Sequence, residues 1–201
     1  MDTDVELRNA IADTITRFFK NHNDPRIVYH GLQHTRSVVS RSEEIAQVYF
    51  LSARDYFVIF AAAWFHDTGH LVQVAEGHEA KSALLMRAYF QQVNLAESIV
   101  SQIEKCILAT KQSIGPRTLQ EQILCDADLY HLGTEEFCIT NELVKKEIEL
   151  RCNTTLENWD ASSLRFLQNH VYHTSYCKEL LTAGKLENIA FLQKRVANIQ
   201  P

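Results

Sequence analysis

The sequence predicts an all-α protein, and three observations support this prediction. Its 201 residues include only three prolines and six glycines, so few positions would interrupt a helix. Strict alternation of apolar and polar residues is scarce, whereas long segments place apolar residues three and four positions apart, which is typical of amphipathic helices. The length and the 46% hydrophobic content suit one substantial core. We therefore expect a single domain over residues 1–201.

The first half of the chain divides into helices that end at polar or proline-containing segments. One face of a first helix carries Leu7, Ile11, Ile15 and Phe18 before residues 21–25 end it. A second helix should run from the region of His30 through Tyr49, and Asp55 is placed to begin a third. The run from Phe57 to Phe65 has almost no polar residue, which predicts a fully buried helix.

Helical spacing continues in the second half. A fourth helix should begin near residue 78, and residues 94–97 (Asn-Leu-Ala-Glu) form a capping-box pattern for a fifth, which ends near residues 110–111. Gly133 should end the next helix and Thr134 should cap the one after it. The remaining segments predict helices over 134–151, 161–183 and 185–199, with Gly184 separating the last two.

Charge and cysteine usage limit the classes of function. A net charge of −5 argues against binding to a nucleic-acid polymer, although a local positive pocket could still take a small anionic substrate. The five cysteines lack a C-x-x-C pair and predict free thiols in a reducing compartment. The acidic first residues lack a signal-peptide pattern, and no apolar run reaches membrane-spanning length. We expect a cytoplasmic protein without a membrane partner, and the oligomeric state, including a homo-oligomer, stays open.

The predicted buried helix leads directly into His66 and Asp67. A buried carboxylate beside a buried imidazole is costly unless its charge is offset, and a divalent cation would do this for both residues. A hydrogen-bonded pair that only fixes the helix end is the alternative. Two histidines upstream, His30 and His34, are four residues apart and would share one face of a helix.

This order of residues, a histidine, then His-Asp, then an aspartate near residue 128, resembles the HD-domain superfamily of metal-dependent phosphohydrolases. The resemblance covers about residues 27–133 and implies an HD-domain helical bundle with a C-terminal helical extension over 134–201. It implies that one divalent ion (Mn, Mg, Fe, Ni or Zn) is bound by His34, His66, Asp67 and Asp128. The family pattern matches Ala127-Asp128, which leaves Asp126 to support the site or cap the helix.

Further motifs resemble the cyclic-nucleotide phosphodiesterase branch of this superfamily. In that branch the histidine at the position of His30 donates a proton, and His70 would approach a second metal or the substrate phosphate. By similar resemblance His78 would bind a second, weakly held Mg²⁺ or Mn²⁺, and Glu79 would position the attacking water. Lys111 is a candidate phosphate contact. The alternatives are a polar loop residue for His70, a solvated helix start for residues 78–79 and a solvated lysine.

The resemblance implies hydrolysis of a phosphate monoester or diester, with a nucleotide or cyclic nucleotide as the expected substrate. Two alternatives are an HD-type di-iron oxygenase and a non-catalytic, metal-containing module that binds a nucleotide. Residues 109–112 lack the histidine pair that dinuclear branches often have there, which favours one firmly held metal. His170 and His173 fall outside the shared core and are expected to be structural.

Overall fold

The computed structural model describes residues 3–72 and 77–199. These residues form nine α-helices and two short 3-10 helices, with no strand among them, which confirms the all-α prediction. The α-helices are α1 (Thr3–Asn21), α2 (Leu32–Ala46), α3 (Ala53–Phe65), α4 (His78–Gln92), α5 (Glu97–Ala109), α6 (Leu119–Asp128), α7 (Phe137–Cys152), α8 (Trp159–Asn169) and α9 (Ser175–Ile199). The 3-10 helices cover Thr68–Leu71 and Tyr130–Gly133.

Helix α3 lies at the centre of the bundle and contacts α1, α2, α4, α5 and α6. Its start is fixed by a capping box, in which Ser52 Oγ accepts from the backbone N–H of Asp55 and the Asp55 carboxylate accepts from that of Ser52. The helix therefore begins at Ala53, and Asp55 is its third residue. Ala61, Ala62 and Ala63 are all fully buried, because small side chains let neighbouring helices pack close to α3. The helix ends at Phe65, inside the protein, as its apolar sequence predicted.

Several predicted boundaries in the first half differ from the structure. Helix α2 begins at Leu32, so His30 precedes it in a turn. In α1 the buried stripe ends at Phe19 rather than Phe18. The capping box predicted for α5 is absent: Asn94 has a left-handed backbone (φ 52°), and the N-cap is Ala96, without a side-chain hydrogen bond. Local sequence patterns did not account for these tertiary constraints on the chain.

The C-terminal helices also differ from the prediction. The segment expected as one helix over 161–183 is broken at residues 170–174, because the buried Asp126 carboxylate binds the backbone there. Its oxygens accept from the N–H groups of His173 and Thr174, each at 2.8 Å, and from Thr174 Oγ1 at 2.6 Å. Gly184 lies inside α9 rather than between helices. A Cβ atom there would collide with the carbonyl oxygen of Gly133, so this glycine permits close packing of α9 on the turn after α6.

Gly184→Ala is expected to destabilise the protein, although alanine normally stabilises a helix relative to glycine. The added methyl group has to displace backbone at Gly133, and overpacking of this kind costs about 1–3 kcal/mol. Chemical denaturation would measure the loss. Thr182→Ala, at an exposed position of the same helix, is the control and should change the free energy of unfolding little. Equal or greater stability of Gly184→Ala would contradict the packing role.

None of the helices within residues 3–72 and 77–199 combines the length and the apolar character needed to cross a membrane.

Candidate metal centre

Four side chains from three helix ends meet beside the buried terminus of α3. His34 comes from α2, His66 and Asp67 follow α3, and Asp128 ends α6. His34 Nε2 lies 3.1 Å from Asp128 Oδ1 and 3.3 Å from Asp67 Oδ2. His66 Nε2 lies 3.3 Å from Asp67 Oδ2 and 3.6 Å from Asp128 Oδ1. Four donors placed about 2.1 Å from one ion would lie roughly 3.0–3.5 Å apart, so these spacings suit a shared divalent cation.

The polar atoms of this cluster also fit a cation. Among the described residues, His66 Nε2 and Asp67 Oδ2 are buried and have no hydrogen-bond partner, which is costly unless another group satisfies them. His66 Nδ1 lies 2.8 Å from the carbonyl oxygen of Ala63. This carbonyl can only accept, so Nδ1 carries the proton and the lone pair of Nε2 faces the cluster. Two carboxylates and two neutral imidazoles would balance one divalent ion.

Without a cation, protons must compensate the two carboxylates. Burial alone would lower the pKa of His34, but hydrogen bonds to Asp128 and Asp67 and their charges outweigh it and raise the pKa to about 9. Burial alone would raise the pKa of Asp128 and of Asp67, but the neighbouring imidazoles hold both well below the usual range. The carboxylates therefore stay ionised, as metal ligands must be.

Asp67 faces a second group of histidines with its other oxygen. Asp67 Oδ1 lies 3.8 Å from both His70 Nε2 and His78 Nε2, and the two imidazole rings stack with centroids 3.8 Å apart. Asp67, His70 and His78 thus form a second set that could hold an ion. The structure places the expected second-metal residues together on the far side of Asp67.

The protonation of His70 favours a different role for it. Arg151 Nη1 lies 2.8 Å from His70 Nδ1, and a guanidinium can only donate. Burial lowers the pKa of His70 to about 3, so the ring is neutral and its single proton is on Nε2. A protonated Nε2 donates a hydrogen bond and cannot coordinate a metal. The arrangement therefore favours His70 as a donor toward the cleft.

His30 is oriented by a buried carboxylate. Glu147, on α7, is 2% exposed, and its Oε1 lies 2.8 Å from His30 Nδ1. Its Oε2 accepts from the backbone N–H groups of Tyr29 at 2.7 Å and His30 at 3.0 Å. Because the carboxylate accepts from Nδ1, Nε2 is the nitrogen of His30 left for chemistry. His30 is also near His34, with ring centroids 5.7 Å apart, although the two do not share a helix.

Sequence reasoning missed Glu147 and Arg151, which both lie in the part predicted as a C-terminal extension. Arg151 Nη1 lies 3.3 Å from Glu147 Oε1, one helical turn away. The i,i+4 spacing of a glutamate and an arginine was the available signal, but the same spacing is common on solvated helix faces. Only the docking of α7 beside the turn at residues 28–31 makes this pair buried.

A polar cleft opens beside the cluster. Its walls include Asp67, His78, Glu79, Lys111 and Asp128. The start of α4 is held close to the 3-10 helix after Asp67, since the backbone N–H of Gly69 donates to Ser82 Oγ at 2.8 Å. A Cβ at Gly69 would collide with the carbonyl of His78. The structure thus brings Glu79 and Lys111 to the cleft, whereas Asp126 faces away from it and binds residues 173–174.

One solved structure resembles this chain over nearly its whole length. It is the crystal structure of a predicted HD superfamily hydrolase from an uncultured Thermotogales bacterium, with 19% sequence identity and a TM-score of 0.61. The alignment covers 94% of this chain and 91% of that chain. No family model matches the sequence, and no curated protein matches it. The likeness establishes that this chain has the all-α HD-domain fold.

Substitution of the two aspartates of α6 should separate their roles. Asp128→Ala is expected to abolish tight metal binding. Asp126→Ala is expected to keep most of the metal and to lose about 3 kcal/mol of stability, because three buried donors lose their acceptor. Metal titration together with thermal unfolding would measure both effects. Retained metal in Asp128→Ala with loss in Asp126→Ala would show that the ligand assignment is reversed.

Proposed function

We propose that this protein is a metal-dependent hydrolase that cleaves a phosphate ester. The observation that carries the proposal is the buried cluster of two histidines and two aspartates, whose unpartnered atoms all face one point beside an open polar cleft. Imidazole and carboxylate together suit several divalent ions, so the ligand set does not select one of Mn, Mg, Fe, Ni or Zn. A bound divalent ion would supply Lewis acidity toward a phosphoryl oxygen and would lower the pKa of a water.

The residues around the cleft can supply the remaining parts of a hydrolytic reaction. Glu79 lies at the cleft with 8% exposure, and its carboxylate can accept a proton from the attacking water and orient it. Lys111, which also lines the cleft, and the Nε2–H of His70 can donate to phosphate oxygens as negative charge builds up on them. His30, oriented by Glu147, can give its Nε2 proton to the leaving alcohol.

The protonation of His70 favours this proposal over the two alternatives. A di-iron oxygenase would need firm ligands on the second side of Asp67, where Arg151 keeps His70 Nε2 protonated. A binding module without turnover would not need His30 to be held by a buried carboxylate. A second, weakly held Mg²⁺ or Mn²⁺ at His78 and Asp67 remains compatible with the proposed hydrolysis.

The test is metal analysis of the purified protein, followed by a panel of phosphate esters assayed with each divalent ion in turn. The proposal predicts phosphate release that requires a divalent ion and is lost on chelation. Metal-loaded protein that hydrolyses no monoester or diester, and that binds a nucleotide without turnover, would favour the binding module instead.

A further inference from the structure

A second cavity, of about 380 Å³, lies between α7, α8 and the turn that follows α6. Most of its lining is apolar, and three of these side chains, Leu132, Phe137 and Leu167, are at most 2% exposed. The apolar lining consists mainly of Leu132, Phe137, Val144, Trp159, Phe166 and Leu167. A cavity of this size with a few polar groups has the character of a small-molecule site.

This cavity meets the proposed reaction site at two residues. His30 and Asp128 line both the apolar cavity and the polar cleft that contains Glu79 and Lys111. A phosphate ester placed with its phosphoryl group in the cleft would therefore extend its organic group past His30 into the cavity. This direction agrees with the proposed role of His30, because a proton donor must lie beside the oxygen of the leaving group.

The polar groups of the cavity indicate what kind of organic group it would hold. Ser163 Oγ donates to Asn141 Oδ1 at 2.8 Å, which leaves the amide N–H₂ of Asn141 as a donor. Trp159 Nε1 is buried, and no hydrogen-bond partner for it occurs among the described residues. Donors set among aromatic and branched side chains suit a flat ring with acceptor atoms at its edge, whereas an alkyl chain would leave these donors unsatisfied.

We infer that the substrate is a phosphate ester whose leaving alcohol carries a flat aromatic ring with hydrogen-bond acceptors, as in a nucleobase, and that this ring binds in the cavity between α7 and α8. The inference rests on the proposed function for the position of the phosphate. It assigns to α7 and α8, outside the segment that carries the metal-binding motif, the selection of the substrate.

Val144→Phe, which fills the cavity, tests the inference with two substrates. A nucleoside 5′-monophosphate and ribose 5-phosphate share the same kind of alkyl leaving oxygen and differ in the ring. The variant is expected to lower kcat/KM by about 10-fold or more for the nucleotide, since filling a binding pocket costs discrimination on this scale, and to leave that for ribose 5-phosphate unchanged. Ile139→Phe, at an exposed position of the same helix (69% exposed), is the matched control and should change neither.

Calorimetric titration with the nucleoside alone keeps the test independent of catalysis. The wild-type protein and Ile139→Phe should bind the nucleoside, and Val144→Phe should not. Trp159→Phe keeps an aromatic ring but removes the N–H, and we expect it to weaken binding by about three- to tenfold, the value of one hydrogen bond. This second variant protects the test if Val144→Phe fails to fold, which circular dichroism would show.

The outcomes separate this inference from the proposed function. Nucleoside binding that Val144→Phe abolishes, in a protein that hydrolyses no phosphate ester, would support the cavity and overturn the hydrolase. Hydrolysis of the nucleotide and of ribose 5-phosphate with equal kcat/KM, without nucleoside binding, would support the hydrolase and overturn the cavity assignment. A clear preference for an alkyl phosphate without a ring would also overturn it.

Discussion

Replacement of both His66 and Asp67 by alanine is expected to remove the bound metal and to lower phosphate-ester hydrolysis by more than about 100-fold. Substitution of residues that only support metal ligands typically costs 10- to 100-fold, and this variant loses two direct ligands. Chelation of the wild-type protein should have the same effect, and readdition of the metal should reverse it. Elemental analysis and the rate of phosphate release would measure the two losses.

The stability of the protein gives a readout that does not depend on activity. A metal that binds only the folded state stabilises it by about 2.7 kcal/mol at 100 times its dissociation constant. The wild-type Tm should therefore rise with added metal, while that of the double variant should not. His22→Ala, at an exposed residue in the turn after α1, is the histidine control and should behave as wild type. Full metal occupancy in the double variant would refute the proposed centre.

His30→Ala is expected to keep its metal and its fold but to lose about 10²–10⁴-fold in the rate of hydrolysis of a nucleotide ester, the usual contribution of a positioned proton donor. The loss should depend on the leaving group. An alkoxide such as a ribose oxygen leaves poorly without a proton, whereas a nitrophenolate leaves well by itself. The loss on a nitrophenyl phosphate ester should thus be much smaller, and kcat on both substrates would measure the difference.

Glu147→Gln provides a milder version of the same test. It keeps the size of the side chain and removes the charge that orients the Nδ1–H of His30, so we expect a smaller loss with the same dependence on the leaving group. Equal losses on both substrates in His30→Ala would argue that His30 positions the substrate rather than donating a proton. Loss of metal in that variant would instead make His30 a ligand.

Helix content and the buried centre of the fold could be predicted from the sequence, because both depend on local patterns. The apolar run from Phe57 to Phe65 predicted a buried helix that ends inside the protein, and α3 has both properties. Boundaries set by distant contacts could not be predicted in this way. Gly184 has the composition of a helix break, yet it lies within α9, because its missing side chain is needed for contact with Gly133 across the fold.

The sequence by itself determined which residues are candidates for chemistry, since His34, His66, Asp67 and Asp128 appear in an ordered pattern along the chain. Only the tertiary structure decided how they are arranged and what surrounds them. It separated Asp126 from Asp128, which adjacent positions in one stretch could not do, by burying Asp126 against residues 173–174. It also brought Glu147 and Arg151 from α7 to the histidines at positions 30 and 70. Protonation and orientation of a side chain depend on partners that are distant in sequence, and folding alone brings those partners within hydrogen-bond distance.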